Sequence, residues 1–527
     1  MNKTNSIFLL GNYRKTLKEL LDKSVSSVTI PNSVTEIEGR VFWFCDTLTS
    51  VVLPEKLQII GNWSFSGCTG LTTLNIPETV TTIGGGAFSG CKGLASLSLP
   101  KSLMNIGYHA FWDCTGLTSL SIPDSVTEIG DGAFRGCSSL TSINLPKRMK
   151  SIGDSLFSGC SGLTSFKFPR GVKRIGSNAF YGCSGLTSLK IPEGVVSIED
   201  RAFEGCSGLT SLILPKSLKS IGYCAFSGCT QLTSLIIPEG ITIIPNQAFS
   251  GCSNLKSVII PDNVTEINDL AFYDCCHLKT ISFGKGIKAV GKDAFLGCSN
   301  LEKVVITDIS TWCGITFDGV NSNPTCLSNR IYEKAGIEIT DLTIPSDVTI
   351  IRRYAFRNCL GLSSLTISEG VQCIEALAFN GCSFTSAVIP DSVTEIGDGA
   401  FSNCRSLSSI KIPKEITQIK SHVFENCSKI VSVEMSNNVT NIGNYAFYGC
   451  LNLYSIRMPQ RLRFIGIHTF AGCQNLQEIG FSNDITEIHK TAFKGCTSLK
   501  KVMFPKEKED LAREFEENFE SCTIELA

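Results

Sequence analysis

A Phe-x-x-Cys tetrad recurs nineteen times in one periodic series along this chain, and the first twelve phenylalanines of that series, beginning at Phe42 and ending at Phe295, stand 23 residues apart without exception. A fixed period of roughly 20–29 residues constrains the fold more than any composition can, because so short a unit cannot bury its own apolar side and must stack on copies of itself. After a break the series resumes at Phe356 and continues to Phe493, in steps of 23 with a single step of 22. The array fills nearly the whole chain, and a solenoid of about 20 coils is predicted.

Each position in the unit has a physical task, and residues 68–90, CTGLTTLNIPETVTTIGGGAFSG, form a clean copy. Leu71, Leu74 and Ile76 approximate the period of two of a half-buried strand, with Thr73 and Asn75 pointing the other way. Pro77 ends that strand because it lacks the N–H a ladder requires. Val80 and Ile83 suit a second, shorter extended segment across the coil. Gly84 permits a corner, Ala87 and Phe88 fill the interior from a short turn, and Gly90 lets the backbone return towards Cys91. The strands of successive coils should form a parallel sheet on one face, with only a few short helical turns elsewhere.

A solenoid grows by addition and has no size ceiling, so 527 residues read as one elongated array rather than several globular bodies. Periodic Phe, which dominates the aromatics with 31 residues against four Trp, reads as a core ladder. With Lys+Arg 47 against Asp+Glu 48, no global electrostatic grip on nucleic acid is expected.

The run I-P-x-x-V-x-x-I-G-x-x-A-F-x-G-C-x-x-L resembles the signature of the BspA-like leucine-rich repeat family, over roughly residues 25–505. The irregular stretch between Phe295 and Phe356 is 38 residues longer than one period. Its Trp312-Cys313-Gly314-Ile315-Thr316-Phe317 and Asn323-Pro324 resemble an insertion of that family, and Phe504-Pro505 followed by a charged segment and Cys522-Thr523-Ile524-Glu525-Leu526 resembles its closing coil. The resemblance implies an α/β-type leucine-rich-repeat superhelix. It also implies a non-catalytic role in adhesion or host and cell-surface interaction, with a protein ligand, no cofactor and no metal.

Twenty-five cysteines would ordinarily suggest disulfides, but nineteen share one repeat position, beginning at Cys45 and ending at Cys496. Stacked coils place equivalent atoms about 4.8 Å apart with parallel Cα–Cβ vectors, whereas a disulfide wants Cβ atoms near 3.8 Å in a crossed geometry. A ladder of buried thiols, each a weak donor to a turn, is expected instead. Cys224, Cys276, Cys313, Cys326, Cys373 and Cys522 stand outside it, and Cys313 with Cys326 could pair. His109, His422 and His468 share a repeat position, but even the nearest two are separated by two coils, so one metal cannot join them. Gly84-Gly85-Gly86 lacks the Lys-Ser/Thr of a phosphate loop. Neither a nucleophile with a base nor paired carboxylates at a justified spacing is evident, and the chain is not expected to be an enzyme.

Function should then lie on the surface that stacking creates. One outward stripe is bland, with serine at 96, 119, 142, 165, 188, 211, 234 and 257. The other passes from Lys167 and Lys190 to Ile213, Ile236 and Ile259, an apolar strip bordered by lysines and a candidate partner site. The insert offers Trp312, Phe317 and Tyr332, either as anchors for a partner or as a plug where the two arrays of coils meet.

The implied organisation is an N-terminal cap (1–23), a first array (24–300), the insert (301–338), a second array (339–505) and a closing segment (506–527). Leu17, Leu20 and Leu21 have helical spacing, as do Leu511, Phe515 and Phe519 within 506–519, so both ends are expected to be helical caps. No stretch of about 20 apolar residues exists to span a membrane. The start, with only Ile7-Phe8-Leu9-Leu10 apolar, is too short for a signal-peptide core. Family resemblance favours a cell-surface or secreted location, while abundant unpaired cysteines favour a reducing interior and an intracellular binding protein. A monomer is expected.

Overall fold

The computed structural model describes residues 7–11, 15–518 and 522–526. The chain is a parallel β-solenoid of about 22 turns with few helices. Its contacts divide it into two compact units, Met1–Leu278 with Leu296–Cys298, and Lys279–Phe295 with Ser299–Ala527.

In the first unit a regular coil carries two short strands. Residues Thr73–Asn75 pair in parallel with Ser96–Ser98 one period later, aligning Leu74 with Leu97. Thr82–Ile83 pairs the same way with Ile59–Ile60 and with Asn105–Ile106. Alternation along the first strand buries Leu74 and exposes Thr73 and Asn75, as a period of two requires. Pro77 closes a turn as well as ending the strand, since its carbonyl accepts the amide of Val80 at 3.1 Å.

Stacking of the phenylalanines forms the core. Successive rings from Phe42 to Phe272 lie 4.8 to 5.8 Å apart, nearly parallel, with Phe42 and Phe65 the tightest pair and Phe134 and Phe157 the loosest. In the second unit the ladder resumes at Phe356 and runs to Phe493 with spacings of 5.1 to 5.7 Å. Offset-stacked rings at this distance add attraction beyond area burial. The coil that is one residue short absorbs its deletion at Phe384, a fully buried ring that packs on both Phe379 and Phe401.

The thiol ladder is present, and it has a hydrogen-bond role. Cys91 Sγ donates to the carbonyl of Phe65 at 3.1 Å, and Cys114 does the same to Phe88. That carbonyl also accepts the Cys68 amide of its own coil at 3.2 Å, so both its lone pairs are used without water. The nineteen ladder cysteines, from Cys45 to Cys496, are unbridged thiols. Burial pushes the Cys91, Cys160 and Cys206 thiols up to about 12.

Glycines act in two ways. Gly90 lies in the left-handed region, at φ +72°, with nothing nearer than 3.7 Å to an added Cβ, whereas a Cβ on Gly84 would stand 2.7 Å from backbone of the preceding coil. Gly84 therefore permits close stacking, not an unusual dihedral.

The expected N-terminal helix is not formed. Thr16–Leu20 is a strand, paired in parallel with Glu36–Ile37 and antiparallel with Phe8–Gly11, so a hairpin covers the first coil edge. Leu17 and Leu20 are buried there while Leu21 is 58% exposed. The opposite end has an amphipathic helix, Glu509–Asn518, followed by the strand Thr523–Leu526, which completes the sheet beside Lys501–Phe504. Phe515 packs against Phe493 and Phe504. Phe519 lies outside the described residues.

Within the second unit the insert contributes helix α1, Ile309–Cys313, and helix α2, Thr325–Ser328. Asp308 caps α1, its carboxylate accepting the Thr311 amide at 2.7 Å. Trp312 and Phe317 are only 1% and 3% exposed, packed against each other and with Trp312 edge-on to Phe283. They fill the interior and cannot serve as surface anchors, which corrects that reading of the insert.

Candidate interaction surface

Strand geometry dictates what faces outward. Ser96, Ser119 and Ser142 align across one sheet and Ser188 with Ser211 across another, so the serine stripe runs in register within each sheet and is interrupted around Ser165. Ser98, Ser121 and Asn144 extend the polar character over a wide, shallow hollow of about 990 Å³.

The second stripe changes chemistry. Lys190 is in register with Ile213, and Ile236 with Ile259. Ile213, Ile236 and Ile259 are 54%, 81% and 65% exposed. A β-branched side chain suits a pleated surface, but three exposed ones on successive coils, Ile236 and Ile259 in register within one sheet and Ile213 at the edge of the sheet before it, differ from single exposed apolar residues that need no explanation. In the second unit the equivalent positions turn charged, with Lys411 in register with Glu434.

Lys167 departs from the expected arrangement. It is exposed but not on a strand, because residues 161–169 form none. Phe166 and Phe168 occupy the inward positions that smaller aliphatics fill elsewhere, and Phe166 stands edge-on to Phe180 at 4.7 Å. Their volume displaces the backbone from the ladder, separating the strands ending at Asn144 from those starting at Ser188.

The histidines form no common site. His422 stacks on Tyr445 at 5.0 Å and its Nδ1–H donates to the Glu425 carboxylate at 2.9 Å, and His468 lies on the other side of the same Tyr445 at 5.2 Å. These residues share a column of left-handed corner positions, with φ 51° to 60°. His277 Nδ1 bonds the Ser253 carbonyl at 2.8 Å, which requires that nitrogen to carry the proton and leaves it unable to act as a base towards Cys276. Cys313 and Cys326 are both unpaired, and Cys326 lies beside the Arg357 guanidinium. No group of three metal-ligating side chains occurs among the described residues. Nor is any helix among them long and apolar enough to cross a membrane.

A surface feature that sequence reasoning passed over is an aromatic cluster at the phenylalanine corner of the first coils. Its signal was available, since Trp43, Trp63 and Trp112 account for three of the four tryptophans.

A family model described as a BspA type leucine rich repeat region matches the chain in six copies, over residues 20–140, 58–187, 104–231, 173–302, 325–454 and 394–525. Among solved structures, a leucine-rich repeat protein from Bacteroides ovatus is 25% identical, over 97% of this chain and 94% of that one, with a TM-score of 0.36. A leucine-rich repeat protein of T. pallidum is 28% identical over 43% of this chain and 88% of its own, with a TM-score of 0.29. A leucine-rich cell surface protein from Faecalibacterium prausnitzii is 22% identical over 94% and 92% of the two chains, with a TM-score of 0.29. No curated protein matches.

Proposed function

The chain belongs to the BspA-type leucine-rich repeat family, whose model matches it over residues 20–302 and 325–525, and from that premise we infer that it is a non-catalytic protein-binding scaffold acting through the sheet face. The observation that carries this reading is the outward strip of Ile213, Ile236 and Ile259, bordered by Lys190. An apolar centre with a charged rim is the composition of a protein contact, and rigid neighbouring strands hold it without ordering cost. The ligand is a protein, consistent with adhesion or cell-surface interaction as the family resemblance implies.

The thiol ladder does not oppose an exterior location. Its members are buried and donate to carbonyls, and a buried neutral thiol resists oxidation in any compartment.

A photo-crosslinking amino acid at position 236 would capture the partner from intact cells or host extracts. Capture by that site, lost when Ile213 and Ile259 are changed to Ser, supports the reading. Capture that persists unchanged in that variant would move the binding surface elsewhere, and protease shaving of intact cells decides between surface display and an interior role.

A further inference from the structure

Three tryptophans fall within residues 43–112, at the corner of the coils that carries the phenylalanine ladder. Their rings do not stand off into solvent. Phe44 lies across Gly67, the indole of Trp63 across Gly86, and Tyr108 across Gly85, since a Cβ at those glycines would meet the rings at 2.7, 2.4 and 2.5 Å. His109 lies across Gly132 in the same way. Gly67, Gly85 and Gly86 thus serve as a floor for aromatic rings, of which Phe44 and Tyr108 keep large exposed faces, 63% and 50%.

Trp43, Phe44, Trp63 and Trp112 line a groove of about 330 Å³ together with Arg40 and the largely buried Ser66 and Ser89. That volume falls at the lower end of the roughly 300–1,000 Å³ typical of small-ligand sites. The Arg40 guanidinium sits 5.6 Å over Trp43, and Lys23 Nζ approaches the Trp43 carbonyl at 3.4 Å. No carboxylate lines the groove. A cationic ligand is disfavoured by this charge, while a purely apolar one would leave Arg40 and the serines unused.

The chemistry that satisfies all three elements is a ring with an apolar face to lie on an indole, hydroxyl edges to meet Ser66 and Ser89, and a carboxylate that a guanidinium can grip through two parallel N–H bonds. We propose that this groove binds an acidic saccharide, a chain of pyranose rings bearing uronate or sialate carboxylates. The aromatic platforms recur on neighbouring coils, which suits a linear polymer of rings better than the irregular surface of a folded protein. This site is independent of the isoleucine strip.

The test is binding of the full chain to an array of uronate- and sialate-bearing oligosaccharides printed beside their neutral parents, followed by titration of the best binder. Acidic members are expected to bind in preference to the neutral ones. Trp63→Ala and Arg40→Gln should each weaken that binding at least tenfold, while the Ile213, Ile236 and Ile259 to Ser variant binds as the parent does. Arg40 is an exposed side chain whose replacement leaves the coil packing alone, so an unchanged circular dichroism melt separates loss of binding from loss of fold. Failure of every acidic member to bind saturably overturns the proposal, as does binding indifferent to both substitutions. Equally fatal is attachment through these residues to polyglutamate or phosphatidylserine vesicles without any saccharide binding.

Discussion

The indole Nε1–H of Trp312 donates to the carbonyl of Ala355 at 2.7 Å. In a regular coil the equivalent carbonyl accepts the amide of the preceding coil's phenylalanine, as Ala87 does from Phe65 at 2.8 Å. The insert therefore replaces a missing coil with side chains. Asn323 Nδ2 bonds the carbonyls of Tyr354 and Ala355, and Thr325 Oγ1 bonds that of Arg357.

Trp312→Phe removes one of these donors and some buried volume, and should cost about 1–3 kcal/mol, while Trp312→Ala should cost about 3–5 kcal/mol. Because a solenoid can open locally, hydrogen exchange at residues 352–361 is the sharper readout. Unaltered protection there in Trp312→Ala would show that the indole does not hold this coil.

Alkaline pH should unfold the chain earlier than a comparable protein without buried thiols. Folded Cys91, Cys160 and Cys206 titrate at about 12, against roughly 8.5 in an unfolded chain. A raised folded value means that stability is fully present below the unfolded value and is lost as pH rises towards the folded one. Each such thiol removes up to about 1.4 kcal/mol per pH unit across that window. Denaturation midpoints measured from pH 7 to 11 should fall steeply above about 9, and replacing Cys91, Cys160 and Cys206 by Ala should flatten the decline.

Thiol labelling of the native protein should be selective. The partly exposed Cys276, Cys326, Cys373 and Cys522 should react first with a maleimide at neutral pH, and the ladder cysteines only on unfolding. Mass spectrometry of partly labelled protein checks the order, and early modification of Cys183 would contradict the packing.

Gly84 and Gly90 should respond differently to alanine. At Gly90 the cost is the left-handed backbone alone, about 1–2 kcal/mol. At Gly84 the Cβ would meet the backbone of the preceding coil, so neighbouring coils must separate, at about 3 kcal/mol or more. Urea titration of the two variants gives the ranking.

Ile236→Ser should leave stability within about 0.5 kcal/mol of the parent, because its side chain is 81% exposed. A large drop in the melting temperature would mean that the strip supports the fold rather than a partner.

Stacking, the inward Leu, Ile and Phe positions, the corner left-handed at Gly90 and the unbridged thiols were all legible from the 23-residue period. Repetition makes each of these a local question answered many times over. The strip at 213, 236 and 259 was legible for the same reason, since outward positions follow from strand alternation. The break in the sheet at Lys167 was less accessible, as it depends on whether Phe166 can be accommodated beside Phe157 and Phe180.

At the ends and the insert the period stops, and so does its power to predict. Leu17, Leu20 and Leu21 fit a helix by spacing, yet the open edge of the first coil offers unpaired amides and carbonyls that a strand satisfies, so Thr16–Leu20 pairs with Glu36–Ile37. Trp312 could have been an outward anchor until the orphaned carbonyl of Ala355 drew it inside. Sequence alone thus determined the coil, its lining and its outward stripes, because each is set by side-chain periodicity. Tertiary structure decided what covers the interruptions, because there the backbone groups left without a neighbouring coil select their partners across long sequence separations.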